Sequence, residues 1–142
     1  MKSNKEILSS ILKTTQMGQI GIRSVMDYAK HQDFKKALSS QLKEYDEIEQ
    51  EAHAIAAARG WEINELDPAI KFMSKAYARS NLMISGSDSK IAGMMIQGNT
   101  RGMIKGTKNQ HHSCRLDPRV AQLSQKLINC ETQNIRHMRG YL

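Results

Sequence analysis

Seven aromatic residues in 142, two prolines and two cysteines leave little room for several common protein designs. Surfaces that bind single-stranded nucleic acid draw on aromatic side chains to stack bases, and here such side chains are scarce. Cys114 and Cys130 stand sixteen positions apart and make no disulfide framework, which suits a reducing cytoplasm. No apolar run approaches the roughly 18 residues that a membrane span needs, so no membrane partner is expected. The stretch from Met1 to Leu8 has no uninterrupted apolar core and no small-residue cleavage site, so no secretory leader is read there. β-Branched residues are scattered rather than alternating, which argues against a sheet.

Acid is the other scarcity, and it is local. Residues 71–142 hold twelve Lys/Arg but only Asp88, Asp117 and Glu131, whereas residues 1–70 hold nine Lys/Arg and eleven Asp/Glu. The net charge of +7 is therefore an acidic half (−2) added to a basic half (+9). Opposed halves can attract each other within one fold or between two copies as readily as they attract an outside polyanion.

What is present in abundance is helical periodicity. Ser3-x-x-Glu6 is a capping box, after which Ile7, Leu8, Ile11, Thr15, Gly18, Ile22, Val25, Met26 and Ala29 share a face. A second helix starts at Asp33, with Phe34, Leu38, Gln41, Tyr45, Ile48, Ala52, Ile55 and Ala56 inward, and stops at Gly60. Both prolines follow an aspartate, Asp67-Pro68 and Asp117-Pro118, the pattern of an N-cap with proline at the first helical position. A shorter helix is thus expected from Pro68 to about Ile84, broken at Ser85-Gly86-Ser87. A long one follows from about Asp88 to His112, with Ile91, Ala92, Met95, Asn99, Gly102, Met103 and Gly106 on one side. The last runs from Pro118 with Val120, Leu123, Leu127, Glu131, Asn134, Met138 and Leu142 inward.

These elements predict a single all-α domain over residues 1–142, a four-helix bundle. Short joints near His31–Gln32 and Ser113–Leu116 make the first and last pairs antiparallel neighbours, and residues 60–86 are long enough to recross the bundle. The order is then up-down-down-up with one long helical crossover. Counting from the end near residues 30, 33, 87 and 142 places Gln19, Tyr45, Asn99 and Glu131 at one depth, with Gln41 and Asn134 at a second. A carboxylate in the middle of an apolar stripe is costly without partners, so this polar layer is the candidate ligand site. Gly98-x-x-x-Gly102-x-x-x-Gly106 predicts close approach of a helix or a ligand, since each glycine costs about 1 kcal/mol in a helix interior.

The segments Thr-Thr-Gln-Met-Gly-Gln-Ile-Gly, Gln-Leu-Lys-Glu-Tyr, Met-Met-Ile-Gln-Gly-Asn-Thr and Cys-Glu-Thr-Gln-Asn-Ile carry a resemblance to small uncharacterised bacterial proteins with a ferritin-like bundle. That resemblance implies a four-helix core and invites a search for a di-metal site, whose ligands would be a glutamate from two helices and Glu-x-x-His from the other two. The pattern fails here. His31, His53, His111, His112 and His137 have Tyr28, Gln50, Lys108, Asn109 and Asn134 three positions earlier. Glu131 is the best single ligand candidate, with Glu44 and Glu49 at the edges of their helix's stripe, and no cofactor is expected. His111-His112-x-Cys114 has soft-metal ligand types but reads as an exposed turn. The leading expectation is a non-enzymatic bundle that self-associates, as a dimer, or binds a small ligand in the polar layer. The alternative is a nucleic-acid or other polyanion module using Lys90, Arg101, Lys105 and Lys108, and a metal-dependent oxidase or ferroxidase ranks below both.

Overall fold

The computed structural model describes residues 1–85, 87–113 and 115–142, the stretch 81–85 by its backbone alone. Gly86 of the expected helix break and Cys114 of the His111–Cys114 stretch lie outside the described residues. The described residues form five helices and no strand: α1 (Asn4–Met26), α2 (Gln32–Arg59), α3 (Pro68–Ser85), α4 (Asp88–His111) and α5 (Pro118–Arg139). No described helix is long and apolar enough to cross a membrane.

The helix ends obey the local chemistry expected of them. At α1 the Glu6 amide donates to Ser3 Oγ at 3.2 Å and the Ser3 amide donates to Glu6 Oε2 at 2.7 Å, a complete capping box. Asp67 and Asp117 accept from the amides of Ala69 and Arg119, opening α3 and α5 ahead of their prolines. Gly60 closes α2 in the left-handed region (φ 67°), with the Trp61 amide reaching back to the Ala56 carbonyl at 2.9 Å.

The start of α2 departs from the sequence reading. The helix begins at Gln32, one residue early, and His31 gives it no side-chain cap. The cap is imported from α4, where the Asp88 carboxylate accepts from the Lys30 and His31 amides at 2.8 and 3.0 Å and pairs with His31 Nδ1 at 2.6 Å. Burial alone would raise the Asp88 carboxyl, but these hydrogen bonds hold it below the ordinary aspartate value. At the other end of the molecule Arg59 pairs with Asp117 at 2.7 Å, and the Asp117 amide donates to Asn4 Oδ1. The start of α1, the end of α2 and the start of α5 meet there. The end of α4 joins them through the Lys2 amide, which donates to the His112 carbonyl, and Lys2 Nζ, which donates to Asn109.

The apolar stripes meet between these ends, with α1 packed against all four other helices, α4 against α5, and α2 against α5. Ile7, Leu8, Ile22, Phe34, Leu38, Ile48, Ile55, Ile91 and Val120 are fully buried. Leu142 is a correction: it is exposed, because α5 ends at Arg139 and Tyr141 turns its ring edge-on to Phe34, centroids 4.8 Å apart. α1 buries more than its expected stripe, including Leu12, Gln16 and Ile20. Ser9 and Gln16 fasten the connection after α2, accepting from the amides of Asn64 and Leu66. α3 itself is thinly anchored. Ala78 is its one buried side chain among those described, while Phe72, Met73 and Tyr77 are exposed.

Replacing Asp88 by alanine removes three bonds to one charged acceptor, and an unfolding free energy lower by about 1–2 kcal/mol is expected in urea. Asp33→Ala, at an exposed acid in the first turn of α2, is expected to stay within about 0.5 kcal/mol. Equal effects of the two would contradict the imported cap.

Candidate functional site

At mid-depth the core turns polar. Tyr45 of α2 points its hydroxyl at Glu131 Oε1 of α5, 2.5 Å away, and at Asn99 Oδ1 of α4, 3.1 Å away. All three residues are almost fully buried. A phenol has one hydrogen, so the two bonds share it. Desolvation lifts the Glu131 carboxyl to about 7 against the bond from Tyr45, which acts in the lowering direction. Burial, followed by the charge of Glu131, pushes the Tyr45 phenol far above its ordinary value and keeps it a donor.

Glycine makes this cluster possible. A Cβ on Gly18 of α1 would stand 2.6 Å from the Tyr45 ring, and one on Gly102 of α4 would stand 2.7 Å from Glu131 Oε2. Further along α4, a Cβ on Gly106 would stand 2.8 Å from Ile128 of α5. Gly21 and Gly98 differ, since nothing lies within 4 Å of the Cβ each lacks. The thinning of α1 and α4 is thus filled at Gly18 and Gly102 and left open at Gly21 and Gly98.

The open part is a cavity of about 550 Å³ between α1, α3 and α4, within the range of small-molecule sites. Met17, Leu66, Ile70, Met94 and Met95 give it apolar walls. Tyr45, Asn99 and Glu131 form its buried end. Lys13, half-buried, and Arg101 and Lys105, both exposed, line it on the solvent side. Among the described residues two buried amides are under-bonded: Asn99 Nδ2 at the cavity, and both amide atoms of Gln41 away from its lining.

The expected polar layer is thus assembled in part. Tyr45, Asn99 and Glu131 come together, and Asn134 lies beside them, its amide 3.5 Å from Cys130 Sγ. Gln19 does not join; it turns to α2 and donates to Asp46 at 2.8 Å and Glu49 at 3.4 Å. Glu49 also accepts from Gln16, and Glu44 accepts from the Cys130 thiol at 2.9 Å, so neither glutamate shares a site with Glu131. Burial and the neighbouring Glu44 push that thiol up, away from reactivity. Among the described residues no three His, Cys, Asp or Glu side chains converge as a metal set would. The donor set of a di-metal centre is not met by these side chains. His31 pairs with Asp88, His53 with Glu65, and His137 stacks near Tyr141, all away from the cluster.

Of the four cations of the expected polyanion face, Arg101 and Lys105 line the cavity, Lys108 is exposed outside its lining, and Lys90 lies near the start of α4. Sequence reasoning missed Lys13, Gly21, Leu66 and Ile70, because the outer face of α1 and the placement of α3 leave no periodic mark. The available signal was the pairing of Gly18 and Gly21 with Gly98 and Gly102 on two helices that face each other. Comparison with protein-family models, curated proteins and solved structures gives no match for this chain.

Two outcomes follow from this geometry. Gly98→Ala adds a Cβ in open space and is expected to raise stability by about 0.5–1 kcal/mol, whereas Gly18→Ala drives a Cβ into the Tyr45 ring and is expected to lower it by about 1–3 kcal/mol. Changes of the same sign in thermal or urea unfolding would contradict the assignment of filled and open glycines. The second concerns pH. Because the folded carboxyl of Glu131 is raised above its unfolded value, the folded state holds the extra proton, and stability falls as pH rises from about 4.5 to about 7. Wild type is expected to lose roughly 3 kcal/mol relative to Glu131→Gln across that window. A difference between the two proteins that does not change with pH would contradict a desolvated Glu131.

Proposed function

We propose that this chain is a non-enzymatic helical bundle of ferritin-like architecture that binds a small organic molecule between α1, α3 and α4. Several end contacts support the bundle reading: Asp88 at the α1–α2 turn, Asp117 on Arg59, and Lys2 on the end of α4. They are those of an up-down-down-up order with α3 as the crossover. The single observation that carries the ligand reading is the cavity, apolar along its walls and ending on the Tyr45, Asn99 and Glu131 cluster. The glycines at 21 and 98 keep it open at a cost in helix stability.

This reading takes precedence over self-association by charge pairing. Three of the acids of α2 that would meet a second copy are engaged within the chain: Asp46 with Gln19 and Arg23, Glu49 with Gln16, and Glu51 with Arg119. It also takes precedence over a metal-dependent oxidase, for which the described residues around Glu131 offer no ligand set.

Titration with N-phenyl-1-naphthylamine, a neutral apolar fluorophore, tests it. One saturable site is expected, and it should be weakened in Gly98→Leu, whose side chain enters the cavity from its lining at a position where a Cβ meets nothing within 4 Å. Binding that is equal in both proteins, or no saturable binding, would overturn the cavity as a ligand site.

A further inference from the structure

Most acids of this chain have a partner inside it, and the cations at the cavity do not. Asp46, Glu49, Glu51, Asp88 and Asp117 each accept from a named side chain or amide. Among the described residues Lys13, Arg101 and Lys105 make no ion pair and no side-chain hydrogen bond, although they line one space. Arg101 and Lys105 stand one turn apart on α4, opposite Lys13 of α1. Partial burial, together with the like charges of Lys2 and Lys13, holds the Lys105 ammonium below the ordinary lysine value. Lys13 and Lys105 therefore repel each other, and an anion bound at the cavity removes that repulsion.

We propose that the cavity selects an organic anion with an apolar body, the anionic group at Lys13, Arg101 and Lys105 and the body against Met17, Met94 and Met95. The proposal rests on the small-ligand reading above and names the class of ligand. Glu131 fixes the orientation once it is ionised, because its charge at the buried end then repels an anionic group there and leaves the cationic side as the favourable place for it. The buried end also asks for something polar and uncharged. Whichever way the Asn99 amide is turned, one of its two polar atoms has no partner, and Asn99 is only 2% exposed. A hydroxyl or amide on the inner end of the ligand supplies that partner. A nucleic acid strand does not fit this description, since its charge is distributed along its length and the walls here are apolar.

The test uses a matched pair of probes on the full chain. 1-Anilinonaphthalene-8-sulfonate carries the same rings as N-phenyl-1-naphthylamine plus one sulfonate. The sulfonate probe is expected to bind about tenfold tighter than the neutral one, the gain from charge-assisted contacts. That preference should fall to about twofold in the double variant Arg101→Met, Lys105→Met and in about 0.5 M salt. It should persist in Lys108→Met, an exposed lysine outside the cavity lining. A decanoate–decanol pair used as competitors should repeat the order, which extends the class from sulfonate to carboxylate. Equal affinities for the two probes would overturn the anion selection while leaving the cavity reading intact. Sulfonate binding that is undiminished in Gly98→Leu would place the probe on the surface and overturn the proposal. Failure of both probes to bind would overturn the proposal and the cavity reading together.

Discussion

A carboxylate buried in an apolar core must be held by something, and here it is held by one phenol. Glu131 is 2% exposed and bonded through Oε1 to Tyr45 across the width of the helix packing. Much of the architecture can be derived from that bond. The Tyr45 ring needs a seat on α1, which Gly18 supplies, and the carboxylate needs one on α4, which Gly102 supplies. Helices thinned to admit these side chains are thinned over a longer stretch than the side chains fill. The remainder, at Gly21 and Gly98, is the cavity. Polar cluster, glycine pattern and empty space are therefore one feature, with the hydrogen bond at its centre.

The charge of the molecule divides along the same line. The sequence shows an acidic half and a basic half, and the fold brings the two together internally: Arg23 with Asp46, Arg119 with Glu51, Arg59 with Asp117. Exposed pairs of this kind contribute little stability, so their main consequence is for recognition. They occupy three of the acids that might otherwise attract a second copy. The net charge is positive, and Lys13, Arg101 and Lys105 are the part of the basic surplus that borders the cavity.

How much of this was legible beforehand depended on whether a feature is periodic or relational. The capping box at Ser3 and Glu6, both Asp-Pro starts and the inward residues of α2 follow from local chemistry and a period of 3.6, and the structure has them. Depth counting brought Tyr45, Asn99 and Glu131 to one level because long straight helices keep register. The same counting misplaced Gln19, whose depth was right but whose side chain found Asp46 and Glu49 at the helix edge before the core. Leu142 was read inward because its spacing continued the α5 stripe past the end of the helix at Arg139. The cap on α2 from Asp88 joins residues 57 or 58 positions apart, and no local pattern encodes such a contact. The cavity is of the same kind, since it depends on where α3 lies across α1.

The most direct measurement is a carbon-13 NMR titration of the Glu131 side-chain carboxyl in the intact protein. A buried carboxylate held by Tyr45 at the end of a cavity is expected to titrate near pH 7, and higher still in Tyr45→Phe, where the stabilising donor is gone. A midpoint in the ordinary glutamate range, unmoved by the Tyr45 substitution, would contradict the central place given to this bond.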